Sequence, residues 1–333
     1  MSFAGPRAKR PGMTTRATLR LASDPASLAE AGRLLRQGRL VAFPTETVYG
    51  LGADATDGLA VAGIYEAKGR PSFNPLIAHV ATVGEALALG RFDAAANRLA
   101  RAFWPGPLTL VVPMAEGAGI SDLTRAGLDT VGLRVPSHPV AQAILQAAGR
   151  PVAAPSANRS GHVSPTTATH VLADLDGRID AVVDGGPTDV GVESTIVACL
   201  GGAPVLLRPG GVPREAIEAA IGQPLASASG GATIAPGMLA SHYAPKAGIR
   251  LDVTRVEPGE ALLAFGPDAP AGATTVLNLS PSSDLAEAAA NLFGHLRVLD
   301  ASGAARIAVM PIPSEGLGEA IRDRLARAAA PRG

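Results

Sequence analysis

Residues 195–208 read TIVACLGGAPVLLR. Two short apolar runs, TIVACL (195–200) and PVLLR (204–208), flank Gly201-Gly202. Paired runs of this length across a glycine turn are a hairpin signal. Elsewhere the chain alternates strand-like and helix-like segments, which marks an α/β protein. A hairpin inside that rhythm argues against a purely parallel sheet.

Working outward, Asp24-Pro25 opens a helix with an acidic cap and a first-turn proline, and Gly38 ends it. LVAF (40–43) is a strand, and DGLAVAGIYEAKG (57–69) is a short helix that carries Lys68 to its end. PLIAHV (75–80), LTLVV (108–112), VGLRV (131–135) and PVAAP (151–155) are strands, with helices at 82–89, 93–102, 138–149 and 213–221 between and after them. Residues 224–248 are rich in Ala, Ser, Gly and Pro without periodicity, the composition of a linker. Strands at 261–266, 274–280 and 306–313 then alternate with helices over about 282–297 and 317–329. That pattern predicts a small Rossmann-like second domain, although it carries no GxGxxG fingerprint and implies no dinucleotide. The expected organisation is a tail over 1–18, a catalytic domain over 19–224, a linker or lid over 225–247 and a C-terminal domain over 248–333. The tail holds Arg7, Lys9, Arg10 and Arg16 among Gly and Pro and reads as disordered, with Met13 an alternative start.

Composition bounds the function. A chain of 333 residues with 47% hydrophobic content supports about two packed domains, and 39 glycines and 28 prolines favour many tight turns. Lys plus Arg balance Asp plus Glu at 29 each, so the basic surplus of a nucleic-acid binder is missing. Cys199 is the single cysteine, which excludes a disulfide framework or a CxxC metal site within the chain. Its setting, STIVACLGG, suits a small core residue rather than a nucleophile. No run approaches 18 apolar residues, and the N-terminus lacks the apolar core of a signal peptide. A soluble cytoplasmic protein without membrane contact is expected.

Two polar segments carry the chemistry. Lys68-Gly69-Arg70 places two cations before PSFNPLIAH (71–79), and Ser156-Ala157-Asn158 lies between Pro155 and Arg159. Cations from one and short hydroxyl and amide donors from the other suit a phosphorylated ligand. PTETVYGLGADA (44–55) follows a strand; its Thr45, Thr47 and Tyr49 supply hydroxyls, and Gly50 and Gly52 would let backbone approach a ligand. The plain alternative is a strand-loop-helix connection with Thr chosen for β propensity. Arg134 sits in an apolar strand and requires an anionic partner, either a protein carboxylate or a ligand. His79 reads more readily as a hydrogen-bonded core histidine, and Trp104 in WPGP as a packing residue. Lys68 and Arg70 are expected to be exposed, so that replacing them would spare the fold.

Taken in order, PTETVYGLGADA, KGRPSFNPLIAH, WPGPLTLV, GLRVP, PSANRSG, DGG, ESTIV and LRPGG span about 44–211 and resemble the YrdC-like family. APGMLASHYAP (235–245) and EGLGEAIRDRL (315–325) resemble its longer, two-domain form, the L-threonylcarbamoyladenylate synthases. One departure is visible: Leu239, Ala240 and Ser241 stand where many relatives carry basic residues.

The resemblance implies a YrdC-like catalytic domain with a twisted mixed sheet. It also implies an enzyme, a nucleotidyltransferase, that joins L-threonine, bicarbonate and ATP into threonylcarbamoyl-AMP and releases pyrophosphate. Mg²⁺ would accompany ATP, bound mainly through its phosphates. The product would serve threonylcarbamoyladenosine modification of tRNA next to the anticodon, through a separate tRNA threonylcarbamoyl transferase complex. By the same resemblance, Lys68, Arg70, Ser156 and Asn158 carry catalysis. Lys68, Arg70, Asn74, Thr130, Ser156, Ser164, Arg208 and Tyr243 contact ATP. Thr47, His79, Arg134, Ala154 and Ser194 contact threonine, with Arg134 opposite its carboxylate and Ala154 contributing backbone. Glu46 and Glu193 read as partners for nearby cations. The segment 235–245 would act as a lid, with the Tyr243 hydroxyl on a phosphate.

Three other functions are weighed. A carbamoyltransferase of hydrogenase maturation would need zinc-binding Cys pairs, which one cysteine excludes. A non-catalytic module would bind double-stranded RNA weakly on the family's concave surface and in a salt-sensitive way. A regulatory role confined to the second domain would leave 1–224 active.

Overall fold

The computed structural model describes residues 17–71, 74–227 and 243–331. Along the first part run β1 (Leu19–Leu21), α1 (Pro25–Arg36), β2 (Val41–Pro44), β3 (Tyr49–Asp54), α2 (Gly58–Lys68), β4 (Ile77–His79), α3 (Val83–Leu89) and α4 (Ala94–Phe103). Then come β5 (Leu108–Pro113), α5 (Asp122–Arg125), β6 (Thr130–Arg134), α6 (Pro139–Ala148), β7 (Val152–Ala153), α7 (Ala168–Leu175) and β8 (Ala181–Val183). β9 (Thr195–Ala198), β10 (Val205–Arg208), α8 (Arg214–Ile221) and β11 (Ala226–Ser227) complete the larger unit. The C-terminal domain holds β12 (Gly248–Arg250), β13 (Ala261–Ala264), β14 (Val276–Asn278), α9 (Leu285–Ala301), β15 (Arg306–Val309) and α10 (Leu317–Ala329).

Eleven strands form one sheet in the order β1-β8-β2-β3-β7-β4-β6-β5-β9-β10-β11. It is mixed: β9 and β10 pair antiparallel as TIVACLGGAPVLLR predicts, while β4 and β6 pair parallel. The second sheet, β12-β15-β13-β14, is parallel throughout, in keeping with a Rossmann-like domain.

Local chemistry explains the elements. The Asp24 carboxylate accepts from the amides of Ala26 and Ser27 and Pro25 fills the first turn, so α1 starts where donors lack partners. The α1 helix and the α6 helix pack together over one face of the sheet, burying Leu35, Phe43, Ile144 and Val152. The other face buries Leu51, Ile64, Leu99, Leu110 and Leu133. Strand alternation assigns the faces: Leu110 and Val112 belong to that second core, while Val111 packs with Ile77 and Ile196.

Three expectations change. PTETVYGLGADA is neither an open loop nor a strand-loop-helix connection. The β2 and β3 strands are an antiparallel hairpin with Pro44 opposite Tyr49, closed by a turn in which the Thr45 hydroxyl donates to the Val48 carbonyl (2.8 Å). Thr18, placed in the tail, donates to the Ile179 carbonyl beside the β1–β8 pair; residues 1–16 lie outside the described residues. Most of the expected linker, 228–242, also lies outside them, yet its described ends are packed: β11 pairs with β10, and Tyr243 is buried.

The C-terminal domain shares its core with the larger unit. Val48, Val163 and Val192 pack with Tyr243, Phe293, Leu296 and Ile321 in one buried cluster. No helix among the described residues is long and apolar enough to cross a membrane.

Candidate active site

A cavity with about 490 Å³ of empty volume, counting its solvent-open mouth, lies where strand ends meet the C-terminal domain. Thr47 and Val48 enter it from the β2–β3 turn, Arg70 from beyond α2, Ile77 and His79 from β4, and Arg134 from the end of β6. Ala154, Pro155 and Ser156 follow β7, Glu193 and Ser194 precede β9, Arg208 ends β10, and Tyr243 closes the wall.

Register builds the centre. His79 lies beside Arg134 in the parallel β4–β6 pair, so both side chains leave the same face. Arg134 Nη2 bonds Glu46 Oε1 at 2.5 Å, and Glu46 Oε2 accepts from the Ser137 amide. The buried arginine therefore has a protein carboxylate partner while still lining the cavity. Burial and then Arg134 push the His79 imidazole down to about 3, so it is neutral near pH 7.

Across the cavity, the β9–β10 ladder shifts register between Leu206 and Arg208, which re-aims Arg208. Its Nη2 donates to the Ser194 carbonyl at 2.8 Å and reaches the Ser194 hydroxyl at 3.2 Å. Glu193 Oε1 accepts from the Ser164 hydroxyl at 2.6 Å, and Oε2 accepts from Arg324 Nε at 2.7 Å. Burial raises the Glu193 carboxyl, but Arg324 and Arg208 outweigh it and leave the group at about 2.

The Ser156 turn lies against β3, with a bridge between Gly50 and Ser156 and the Ala157 amide on the Tyr49 carbonyl. A Cβ at Gly50 would come within 3.2 Å of Ala154 Cβ, and one at Gly52 within 2.7 Å of Phe43. These glycines therefore admit protein rather than a ligand.

Lys68 is the largest departure from expectation. It is 3% exposed, and its ammonium donates to the carbonyls of Ser156 and Asn158, strapping α2 to that turn. Burial and then Arg70 pull its pKa well below the ordinary lysine value. Arg70 does line the cavity; Nη2 donates to the Pro75 carbonyl at 3.2 Å, and Nε has no partner among the described residues. Burial brings Arg70 down to about 10.

Of the other expected contacts, Thr47, His79, Arg134, Ala154, Ser156, Ser194, Arg208 and Tyr243 line the cavity. Asn74, Asn158 and Ser164 are buried outside its lining: Ser164 reaches it through Glu193, and Asn158 donates to the His162 carbonyl. The Oδ1 atoms of Asn74 and Asn158 have no partner among the described residues. Thr130 starts β6 opposite Pro113, four residues from Arg134, and so stands about 13 Å away along the strand. Cys199 is buried at the end of β9, its thiol pushed up to about 12 by burial, which removes it as a nucleophile.

This geometry can be set beside known proteins. A family model described as "Telomere recombination" (Sua5, YciO and YrdC) matches residues 33–210, and one described as the C-terminal domain of threonylcarbamoyl-AMP synthase matches 212–330. The chain belongs to the YrdC-like family, in its two-domain form. It is 44% identical to the threonylcarbamoyl-AMP synthase of Bacillus subtilis (strain 168), covering 94% of this chain and 95% of that protein. The corresponding protein of Pyrococcus abyssi is 42% identical over 90% and 92%. A crystal structure of P. abyssi Sua5 complexed with L-threonine matches with a TM-score of 0.86 and 39% identity, covering 94% of this chain and 97% of that one.

Within this YrdC-like frame, the residue missed is Arg324, which reaches the lining residues Glu193 and Tyr243 from α10. Ile321, Arg324, Leu325 and Ala328 recur at helical spacing, which places an arginine on the apolar stripe. That pattern was a visible signal in the sequence.

Proposed function

We propose that the cavity condenses L-threonine, bicarbonate and ATP into threonylcarbamoyl-AMP and pyrophosphate, which makes this enzyme a nucleotidyltransferase. The supporting observation is the lining itself. Arg70, Arg134 and Arg208 line the cavity with small hydroxyl donors, and the only cysteine is a buried thiol outside it. Such a wall holds anions together but supplies no nucleophile.

The reaction needs none from the protein. Threonine's amine and bicarbonate form a carbamate with loss of water. A carbamate oxygen attacks the α-phosphorus of ATP, and pyrophosphate leaves with the bonding electrons. The protein's task is positioning and electrostatic stabilisation of groups that repel one another. In this reading Arg70 and Arg208 face the phosphates, and Thr47, His79, Arg134 and Ser194 surround threonine. Neutral His79 acts as a hydrogen-bonding group there, not as an acid. Lys68 and Asn158 act by holding the Ser156 turn.

Mg²⁺ is proposed to ride on the ATP phosphates. No cluster of three His, Cys, Asp or Glu exists among the described residues, and Glu46 and Glu193 are already bonded by arginines. These residues do not fit a protein-held ion, so no step is routed through one. The adenylate would pass to a separate tRNA threonylcarbamoyl transferase complex in the cytoplasm.

Incubation with threonine, bicarbonate and ATP, followed by mass spectrometry, tests the reading. Pyrophosphate and the threonylcarbamoyl adenylate are expected in equal amounts, and ATP turnover without the adenylate would reject it. A pocket that hydrogen-bonds the threonine hydroxyl should reject 2-aminobutyrate strongly, and serine by only roughly 1–3 kcal/mol. Equal use of 2-aminobutyrate would show that the hydroxyl is not read.

A further inference from the structure

The C-terminal domain sends one side chain to the cavity wall. Arg324, on α10, is 0% exposed, and each guanidinium nitrogen has an acceptor. Nε donates to Glu193 Oε2 at 2.7 Å, Nη1 to Asp323 Oδ2 at 2.5 Å and Nη2 to the Pro209 carbonyl at 2.9 Å. The guanidinium carbon also sits 5.2 Å from the Tyr243 ring centroid, and that ring stacks on Phe293 at 5.6 Å. Tyr243 has a φ of +61°, a left-handed conformation that a tyrosine keeps only where packing dictates it.

Glu193 and Tyr243 both line the cavity, and Pro209 follows the cavity residue Arg208. One side chain from the second domain therefore touches two lining residues and the residue next to a third. Its absence would strand the Glu193 carboxylate. That charge is buried, so it would draw on Arg208, the other cation that already lowers its pKa, and offset a charge that faces the ligand.

From this we infer that Arg324 is a positioning residue of the active site: by holding Glu193 and Tyr243, it keeps Glu193 from drawing Arg208 away from the nucleotide phosphates. The inference rests on the reading above that the cavity takes a nucleotide. It also gives the C-terminal domain a defined part in the chemistry, as the support of two lining residues.

The test uses the full-length protein and separates binding from turnover. Affinity for a non-hydrolysable ATP analogue is measured by calorimetry, alongside steady-state kinetics and melting temperature. Arg324→Met is expected to raise the ATP Kd and KM by about tenfold, a coupling within the range found for residues that share one buried network. Glu193→Gln added to Arg324→Met removes the stranded charge and should bring both back to within about threefold of wild type. Arg214→Met is the control for domain contact alone, since Arg214 bonds Glu319 across the domains at 2.5 Å and does not line the cavity. It should lower the melting temperature and leave the ATP Kd unchanged.

An Arg324→Met protein that binds ATP like wild type overturns the proposal, as does a folded double variant that gains nothing from Glu193→Gln. If Arg324→Met alone does not fold, the double variant is compared directly with wild type, and tight ATP binding is still required. A wild-type protein that binds no ATP would instead refute the nucleotide reading, an outcome distinct from either of these.

Discussion

At the residue scale, Lys68 and Arg70 look equivalent in the sequence but differ in the fold. Lys68 donates to two backbone carbonyls inside the protein, whereas Arg70 lines the cavity. Lys68→Met should therefore cost about 1–3 kcal/mol of stability, because buried carbonyls lose their donor. It should also speed hydrogen exchange in the turn at 156–160. Arg70→Ala should cost less stability than Lys68→Met while weakening ATP binding more. Thermal melts, exchange and calorimetry on the two variants check the contrast, and a Lys68→Met protein as stable as wild type would contradict the strap.

Buried titratable groups at this scale also set the acid response. Burial depresses His79 to about 3, so the unfolded chain takes up its proton near pH 6.5 while the folded chain does not. Glu193 is held at about 2 against an ordinary value of 4.5 because Arg324 and Arg208 outweigh burial. In both cases the unfolded state binds more protons as pH falls, so stability decreases with falling pH. The His79 contribution is lost from pH 6.5 down to about 3, and the Glu193 contribution from 4.5 down to about 2. Urea unfolding across this range should show His79→Gln with a flatter loss between pH 6.5 and 4.5 than wild type.

At the element scale, the β2–β3 hairpin is the support for the site. It presents Thr47 from its turn and lays Gly50 against the Ser156 segment. Its period was hidden in the sequence by glycines at alternate positions, which look like loop residues until a neighbouring strand is seen to fill their space. A branched side chain at Gly50 would press on Ala154, whose Cβ lies 3.2 Å from the position of an added Cβ. Overpacking of this kind costs typically about 1–3 kcal/mol. Gly50→Val is expected to lose substrate affinity out of proportion to stability, because the segment displaced is a cavity wall. Threonine binding measured beside the melting temperature checks this.

At the scale of the whole molecule, the C-terminal domain is part of the folding unit of the larger one. Val48, Val163 and Val192 share a buried cluster with Tyr243, Phe293 and Ile321. Arg297 also donates to Asp174 at 3.1 Å and to the Val163 carbonyl. Calorimetry should therefore show one cooperative unfolding transition rather than two. A chain ending at residue 224 should expose that valine patch, leave Glu193 without Arg324, and show no adenylate synthesis. An active, monomeric 1–224 fragment would mean the second domain is only appended.

By itself, the sequence determined the α/β class, the antiparallel β9–β10 pair, the parallel C-terminal sheet and the identity of most cavity residues. The elements depend on local periodicity and glycine turns, and most of the cavity residues come from the ordered motifs that resemble the YrdC-like family. Only the tertiary structure decided that Lys68 is a strap, that Gly50 and Gly52 accommodate protein, and that Arg134 meets Glu46. It also decided that an arginine on the last helix, 131 residues from Glu193, pairs with it in the cavity wall. Which side chains meet across such separations depends on strand order and packing between the two units, and no local pattern encodes either.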